Sequence, residues 1–159
     1  MKPTRLLTVC LAFVMASNMM AYAQSQPGTL AVIVNPENPT VDVSYPELRR
    51  ILRLERQYWS TGSPISLMLP GPSAHERERT LEKAFQISEQ GFRQHWIAVA
   101  YKVQALNLPR PYTECTVAVT VVSSVKTAMA VVDHGCILEG AVHVLKIDGK
   151  KPGDPGYRL

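Results

Sequence analysis

Residues 30–52 read LAVIVNPENPTVDVSYPELRRIL, and the change of pattern inside this stretch decides the fold. Leu30 to Val34 is a continuous apolar run, which suits a strand buried on both faces. Asn35-Pro36 and Asn38-Pro39 are loop signals. Ser44-Tyr-Pro-Glu47 then has the form of a capping box: the serine oxygen accepts from a first-turn amide and Glu47 reaches back to the serine amide. Pro46 falls in the first turn, where its missing N–H is harmless. Leu48, Ile51 and Leu52 lie on one helical face that continues through Glu55 to Tyr58 or Trp59. Arg49, Arg50, Arg53 and Arg56 turn outward.

Similar signals continue downstream. Ile65 to Leu69 is a second apolar strand, stopped by Pro70-Gly71-Pro72, and Ser73-Ala-His-Glu76 is a second capping box. Its helix turns Leu81, Ala84 and Phe85 inward. Ser88 caps a helix over about 89–104 with Phe92, Trp96, Val99, Ala100 and Val103 on one stripe. A proline-rich loop spans Asn107 to Pro111. The β-branched run Thr116 to Val122 predicts a strand, and Ser123 or Ser124 a cap for a short helix through Val132. Gly135–Leu138 and Val142–Ile147 predict two further strands, with a turn at Asp148-Gly149. This alternation predicts an α/β domain over residues 30–149, a mixed sheet flanked by helices. Residues 24–29 read as a mobile N-terminus and 150–159 as an extended tail.

Residues 1–23 read as a cleavable leader. Lys2 and Arg5 precede the apolar run Leu6–Met15, and Ala21-Tyr22-Ala23 supplies a small-x-small cleavage site. The run is too short to span a bilayer, which takes about 20 apolar residues, so the expectation is an exported chain, periplasmic or secreted, without a membrane anchor, cut after Ala23. Loss of the two leader cations takes the net charge from +4 to +2. That weak charge, with arginines interleaved among glutamates, excludes a nucleic-acid-binding face. Two cysteines remain, Cys115 and Cys136. In an oxidising compartment such a pair is most simply a disulfide, closing a loop of about twenty residues; two free thiols are the alternative. No metal site is expected, because His134, Cys136 and His143 match no structural zinc spacing.

Catalytic machinery is missing from the pattern. There is no Gly-x-Ser-x-Gly, no HExxH and no Walker-type glycine loop. His75, His95, His134 and His143 are scattered, and no cofactor or enzymatic activity is expected. One place has a physical reason to bind a ligand. Pro70-Gly71-Pro72-Ser73 joins a strand to a helix start, where free amides and the dipole favour an anion. Ser73, His75 and Arg77 are the candidate contacts. The opposing reading is that Ser73 and Glu76 satisfy the turn themselves and that Glu76 repels an anion.

Asn35-Pro-Glu-Asn38-Pro, Ser44-x-x-Glu47-Leu-Arg-Arg-Ile51, Trp59-x-x-Gly62-x-Pro64-Ile65, Arg77-Glu78, Phe92-x-x-x-Trp96 and Val144-Leu-Lys-Ile147-Asp-Gly149 occur in that order. Together they resemble the small exported proteins related to phosphate ABC transporter substrate-binding proteins. The resemblance implies a type II periplasmic-binding-protein fold, as a single lobe of the usual two. It also implies a Ser-Gly-Thr turn at the phosphate site; Ser73 matches the serine, while Ala74 and His75 stand for glycine and threonine. Leu54 replaces a glycine before the first tryptophan, and Gly135-Cys-Ile-Leu-Glu-Gly140 loosely follows a Gly-Ala-Ile-Gly-Tyr segment. The function expected is a solute-binding-like protein with at most a weak site for phosphate or a similar oxyanion at the Ser73 helix start. The alternative is an interaction module that docks on an envelope protein or transporter component without binding a small molecule.

Overall fold

The computed structural model describes residues 28–102 and 108–159. The leader, residues 24–27 and Val103 lie outside the described residues. The elements are β1 (Leu30–Val34), β2 (Asp42–Val43), α1 (Tyr45–Leu52), β3 (Ser66–Pro70) and α2 (Arg77–Arg79), which runs on as a π-helical segment, Thr80–Phe85. Then come α3 (Glu89–Lys102), β4 (Arg110–Tyr112), α4 (Cys115–Ser124), β5 (Ala128–Asp133), a 3-10 turn (His134–Cys136), β6 (His143–Val144) and β7 (Lys146–Ile147).

Five strands form one mixed sheet in the order β4-β3-β5-β1-β6. β3 is parallel to β4 and β5, while β1 runs antiparallel to β5 and β6. β2 and β7 make a separate parallel pair. Both faces of the large sheet are covered. Val32, Val34, Leu67, Leu69, Met129 and Val131 pack with α1 and the 80–85 segment through Leu48, Ile51, Leu52 and Phe85. Ile33, Met68, Ala128, Ala130 and Val132 pack on α4 through Ala118, Val119 and Val122. Alternate residues of one strand therefore feed opposite cores, as the pleat requires. The continuous apolar run at Leu30–Val34 is buried along its whole length.

The first helix begins where its cap predicts. Ser44 has extended backbone and its Oγ accepts from the Glu47 amide at 3.3 Å. The carboxylate of Glu47 turns to Arg56 instead of closing the box, and Asp148 Oδ1 takes the Tyr45 amide at 3.0 Å. Ser88 accepts from the Gly91 amide at 3.1 Å and starts α3. Asn35 is 3 % exposed. Its Nδ2 donates to the carbonyls of Val122 and Ser123, both at 2.9 Å, so the end of β1 caps the end of α4.

Several expectations are corrected downstream of residue 72. The second capping box does not form: Ser73 is an exposed turn residue, and the helix begins at Arg77 without a side-chain cap. Asn107 lies outside the described residues, but Arg110–Tyr112 is a strand, Pro111 included, tolerated because β4 is the sheet edge. Thr116–Val122 is helical, not extended, and the predicted helix through Val132 is the strand β5. Strand preference reports fit to a half-buried surface more than backbone preference, and β-branched residues lose only a few tenths of a kcal/mol each in a helix. The face of the sheet over Ile33 and Ala130 needs a cover, and Ala118, Val119 and Val122 at helical spacing provide it. Gly135–Leu138 is the 3-10 turn and its exit, and Val142–Ile147 splits at buried Leu145 into two strands with different partners. The tail 150–159 folds back instead of extending: it makes turns, and Tyr157 and Leu159 pack against the core.

Cys115 and Cys136 are disulfide-bonded with Cα atoms 6.1 Å apart, tying the start of α4 to the turn after β5. Replacing both by alanine is expected to lower unfolding stability by about 3 kcal/mol in the chain-entropy model, read from denaturant melts. Asn35→Ala, which strips two helix-end carbonyls of their donor, is expected to cost about 1–3 kcal/mol in the same assay.

Candidate functional site

The parallel strands β3, β4 and β5 end on one edge of the sheet, and the segments leaving them gather there: 71–76, 113–114 and 134–136. In open α/β sheets ligands collect at such an edge. Gly71 is required at the first of these turns, because its amide donates to Tyr112 O at 2.7 Å and a Cβ would stand 3.0 Å from the same oxygen. The Ala74 amide closes the turn on Gly71 O at 3.0 Å and Ala74 is buried beneath it. Ser73 and His75 point into solvent on either side of Ala74. Neither of their amides donates to a backbone acceptor among the described residues.

Arg77 does not join Ser73 and His75. Its Nε and Nη2 grip the two carboxylate oxygens of Glu89 at 3.0 and 2.9 Å, its Nη1 donates to Pro70 O at 2.8 Å, and its guanidinium lies 4.0 Å over the Phe92 ring. The Arg77 hydrogen bonds hold the Glu89 carboxyl below its usual range, against a smaller opposing effect of burial. This is a clamp between the end of β3 and the start of α3, with its charge already neutralised. The next arginine is also paired: Arg79 binds Asp133 at 2.8 Å and touches His75 Nδ1 at 3.3 Å. Asp133 in turn accepts from the Gly135 amide at 2.8 Å. Tyr112, at the same edge, donates to Val131 O at 2.6 Å. Burial, with the charges of Glu76 and Asp133, raises its phenol far above the ordinary value, so it stays a neutral structural donor. Glu76 is buried, 3 % exposed, between this edge and the disulfide. An anion on the 71–76 turn thus meets a hydroxyl, two amides and an exposed imidazole, with both nearby guanidiniums engaged and a buried acid close by.

The four histidines stay apart. His134 follows β5, its amide bonded to Thr29 O at 2.8 Å, and His143 lies in β6. His95 stacks edge-on against Trp96, and burial lowers its pKa, which keeps it neutral.

A second feature lies at the end of α3. Trp96 to Tyr101 is apolar at every position (WIAVAY), and a helix that is apolar all round is normally buried. Here Ile97 is 60 % exposed and Tyr101 89 %. This end of α3 borders an open groove of about 520 Å³ lined by Pro70, Pro72, Phe92, Trp96, Leu108 and Pro111, together with the charged Arg77, Glu89 and Arg93. Leu108, which also lines the groove, is 41 % exposed. No helix among the described residues is long and apolar enough to cross a membrane.

No protein-family model and no curated protein sequence matches the chain. Solved structures do. An ABC-type phosphate transport receptor from Vibrio cholerae aligns with a TM-score of 0.62 at 15 % identity, over 78 % of this chain and 48 % of that one. A putative phosphate ABC transporter substrate-binding protein with bound phosphate from Clostridium perfringens aligns at 0.58 and 13 %, over 78 % and 46 %. PstS from Borrelia burgdorferi aligns at 0.58 and 17 %, over 78 % and 49 %. The chain spans about half the length of these neighbours. The likeness establishes the fold: this is a periplasmic-binding-protein-like α/β domain of the kind found in phosphate ABC transporter substrate-binding proteins.

Proposed function

We propose that the chain is an exported, non-catalytic lobe that works by docking on an envelope protein rather than by enclosing a solute. The observation that carries this is the exposed apolar end of α3 beside the proline- and aromatic-lined groove. Contiguous apolar surface of this kind marks interaction sites. The fitting partner is an apolar helix or loop, since prolines, leucines and aromatic rings make up most of the groove's lining. Ile97→Glu with Tyr101→Glu changes only exposed residues. The double variant is expected to keep the wild-type melting temperature within about 2 °C and to lose at least 10-fold in affinity for the partner recovered by crosslinking on the envelope. Equal capture of variant and wild type would sink the proposal.

A second reading is favoured by the unengaged Ser73 and His75 amides at the ligand edge and by the phosphate named for the structural neighbours. In that reading the 71–76 turn is an open, weak oxyanion site. Arg77 then serves to hold the turn through Pro70 O, not to touch the anion. The two readings separate in a thermal-shift series with phosphate and sulfate. A ligand at a hundredfold excess over Kd stabilises by about 2.7 kcal/mol, several degrees for a chain of this size. The docking proposal expects no shift. A selective shift abolished by Ser73→Ala would instead support the oxyanion site.

A further inference from the structure

Glu76 lies 60 residues before Cys136 in the chain, and Cys115 lies 21 before it, yet one ligand atom from each lies within 4.8 Å of both others. Three elements meet there: the entry to α2, the first residue of α4, and the turn after β5. The carboxylate is the anomaly. Glu76 is 3 % exposed, and its Oε1 lies 3.8 Å from Cys136 Sγ. That sulfur is in the disulfide and has no proton to donate. No N–H or O–H donates to the carboxylate among the described residues. A buried carboxyl group beside two sulfurs gives this corner the composition of a cation site whose other two donors are locked together.

We propose that Glu76, Cys115 and Cys136 form a redox-gated site for a thiophilic divalent cation, with zinc as the ion whose chemistry they fit. While the disulfide stands the site is closed, and an oxidising compartment keeps it so. A dithiol reductant opens it: two electrons and two protons pass to the sulfurs, giving two thiols, while the reductant becomes a cyclic disulfide. Binding of Zn²⁺ then releases both thiol protons to solvent and leaves two thiolates and a carboxylate on the metal. The geometry suits this with little backbone movement. Zinc–sulfur bonds of about 2.3 Å and zinc–oxygen bonds of about 2.1 Å place tetrahedral donors roughly 3.5–3.8 Å apart. The present oxygen-to-sulfur separation is 3.8 Å and the cysteine Cα atoms are 6.1 Å apart. Cys115 opens a ten-residue helix, where the dipole favours its thiolate. Three protein donors leave the fourth position for water or an incoming group.

The test uses the mature chain, oxidised or reduced with the reductant removed under anaerobic conditions, and Co²⁺ and then Zn²⁺ as the probes. The reduced protein is expected to take up one Co²⁺ with thiolate-to-metal charge-transfer bands and tetrahedral d–d bands, lost on addition of Zn²⁺. The oxidised protein should show neither band. Glu76→Gln, reduced, should bind Zn²⁺ at least 10-fold more weakly in competition with a chromophoric chelator. Absence of thiolate bands in the reduced wild type, or equal zinc affinity in Glu76→Gln, would overturn the proposal. A second measurement does not depend on the reduced chain remaining folded. In the oxidised protein Glu76→Gln replaces a buried acid that accepts no N–H or O–H from the described residues and should raise the melting temperature; a fall or no change would show that the carboxyl group already has a partner and would equally overturn the site.

Discussion

A sheet whose central strands are buried on both faces needs a layer on each side, and most of this structure comes from meeting that need. Leu30–Val34 and Ala128–Val132 are out of water at every position. Each fully buried valine, leucine or methionine there contributes about 1.5–3 kcal/mol relative to exposure, and only if both covers are in place. α1 and the 80–85 segment make one cover and α4 the other. The polar contacts of the scaffold serve the same layering. Asn35 joins the end of β1 to the end of α4, Trp59 Nε1 donates to Thr127 O at 3.1 Å, and the disulfide anchors the start of α4.

The edge where the parallel strands end is built from the same kind of contacts. Its two guanidiniums are held by carboxylates from other elements, Arg77 by Glu89 and Arg79 by Asp133. Each joins a helix start to its surroundings, so each is structural first. An edge that neutralises its own cations presents hydroxyl, amide and imidazole groups to solvent and attracts anions only weakly. The apolar groove and the end of α3 lie on the other side of the Arg77–Glu89 clamp. The clamp therefore separates a polar edge from an apolar one and gives this small lobe two chemically distinct surfaces.

Legibility along the chain tracked how local the deciding physics was. The strand at Leu30–Val34 and the helix capped by Ser44 are fixed by run length, prolines and a serine oxygen within four residues of its target. Ser73-Ala-His-Glu76 carries the same capping pattern and is a turn, because Gly71 is pulled to Tyr112 O and Ala74 is buried under the loop. Arg77 offered itself as an anion contact by its place in a first turn; only its neighbours in space, Glu89 and Pro70 O, give it a different role. The bare apolar end of α3 was in principle visible as six apolar residues in succession, but exposure is not a property of sequence.

By itself the sequence determined the class: apolar runs of strand length alternating with capped helices admit a layered α/β domain, and the paired cysteines found each other as their number suggested. What only the tertiary structure decided is which β-rich segment became helix and which polar groups remain unpartnered. Thr116–Val122 is a helix because a sheet face lacked a cover, and Ala128–Asp133 is a strand because it fills the centre between β3 and β1. Glu76 is buried beside a disulfide that joins two segments distant from it in the chain. Helix and strand preferences differ by tenths of a kcal/mol per residue, whereas covering a face or burying a charge is worth several, so the long-range terms prevail wherever the two disagree.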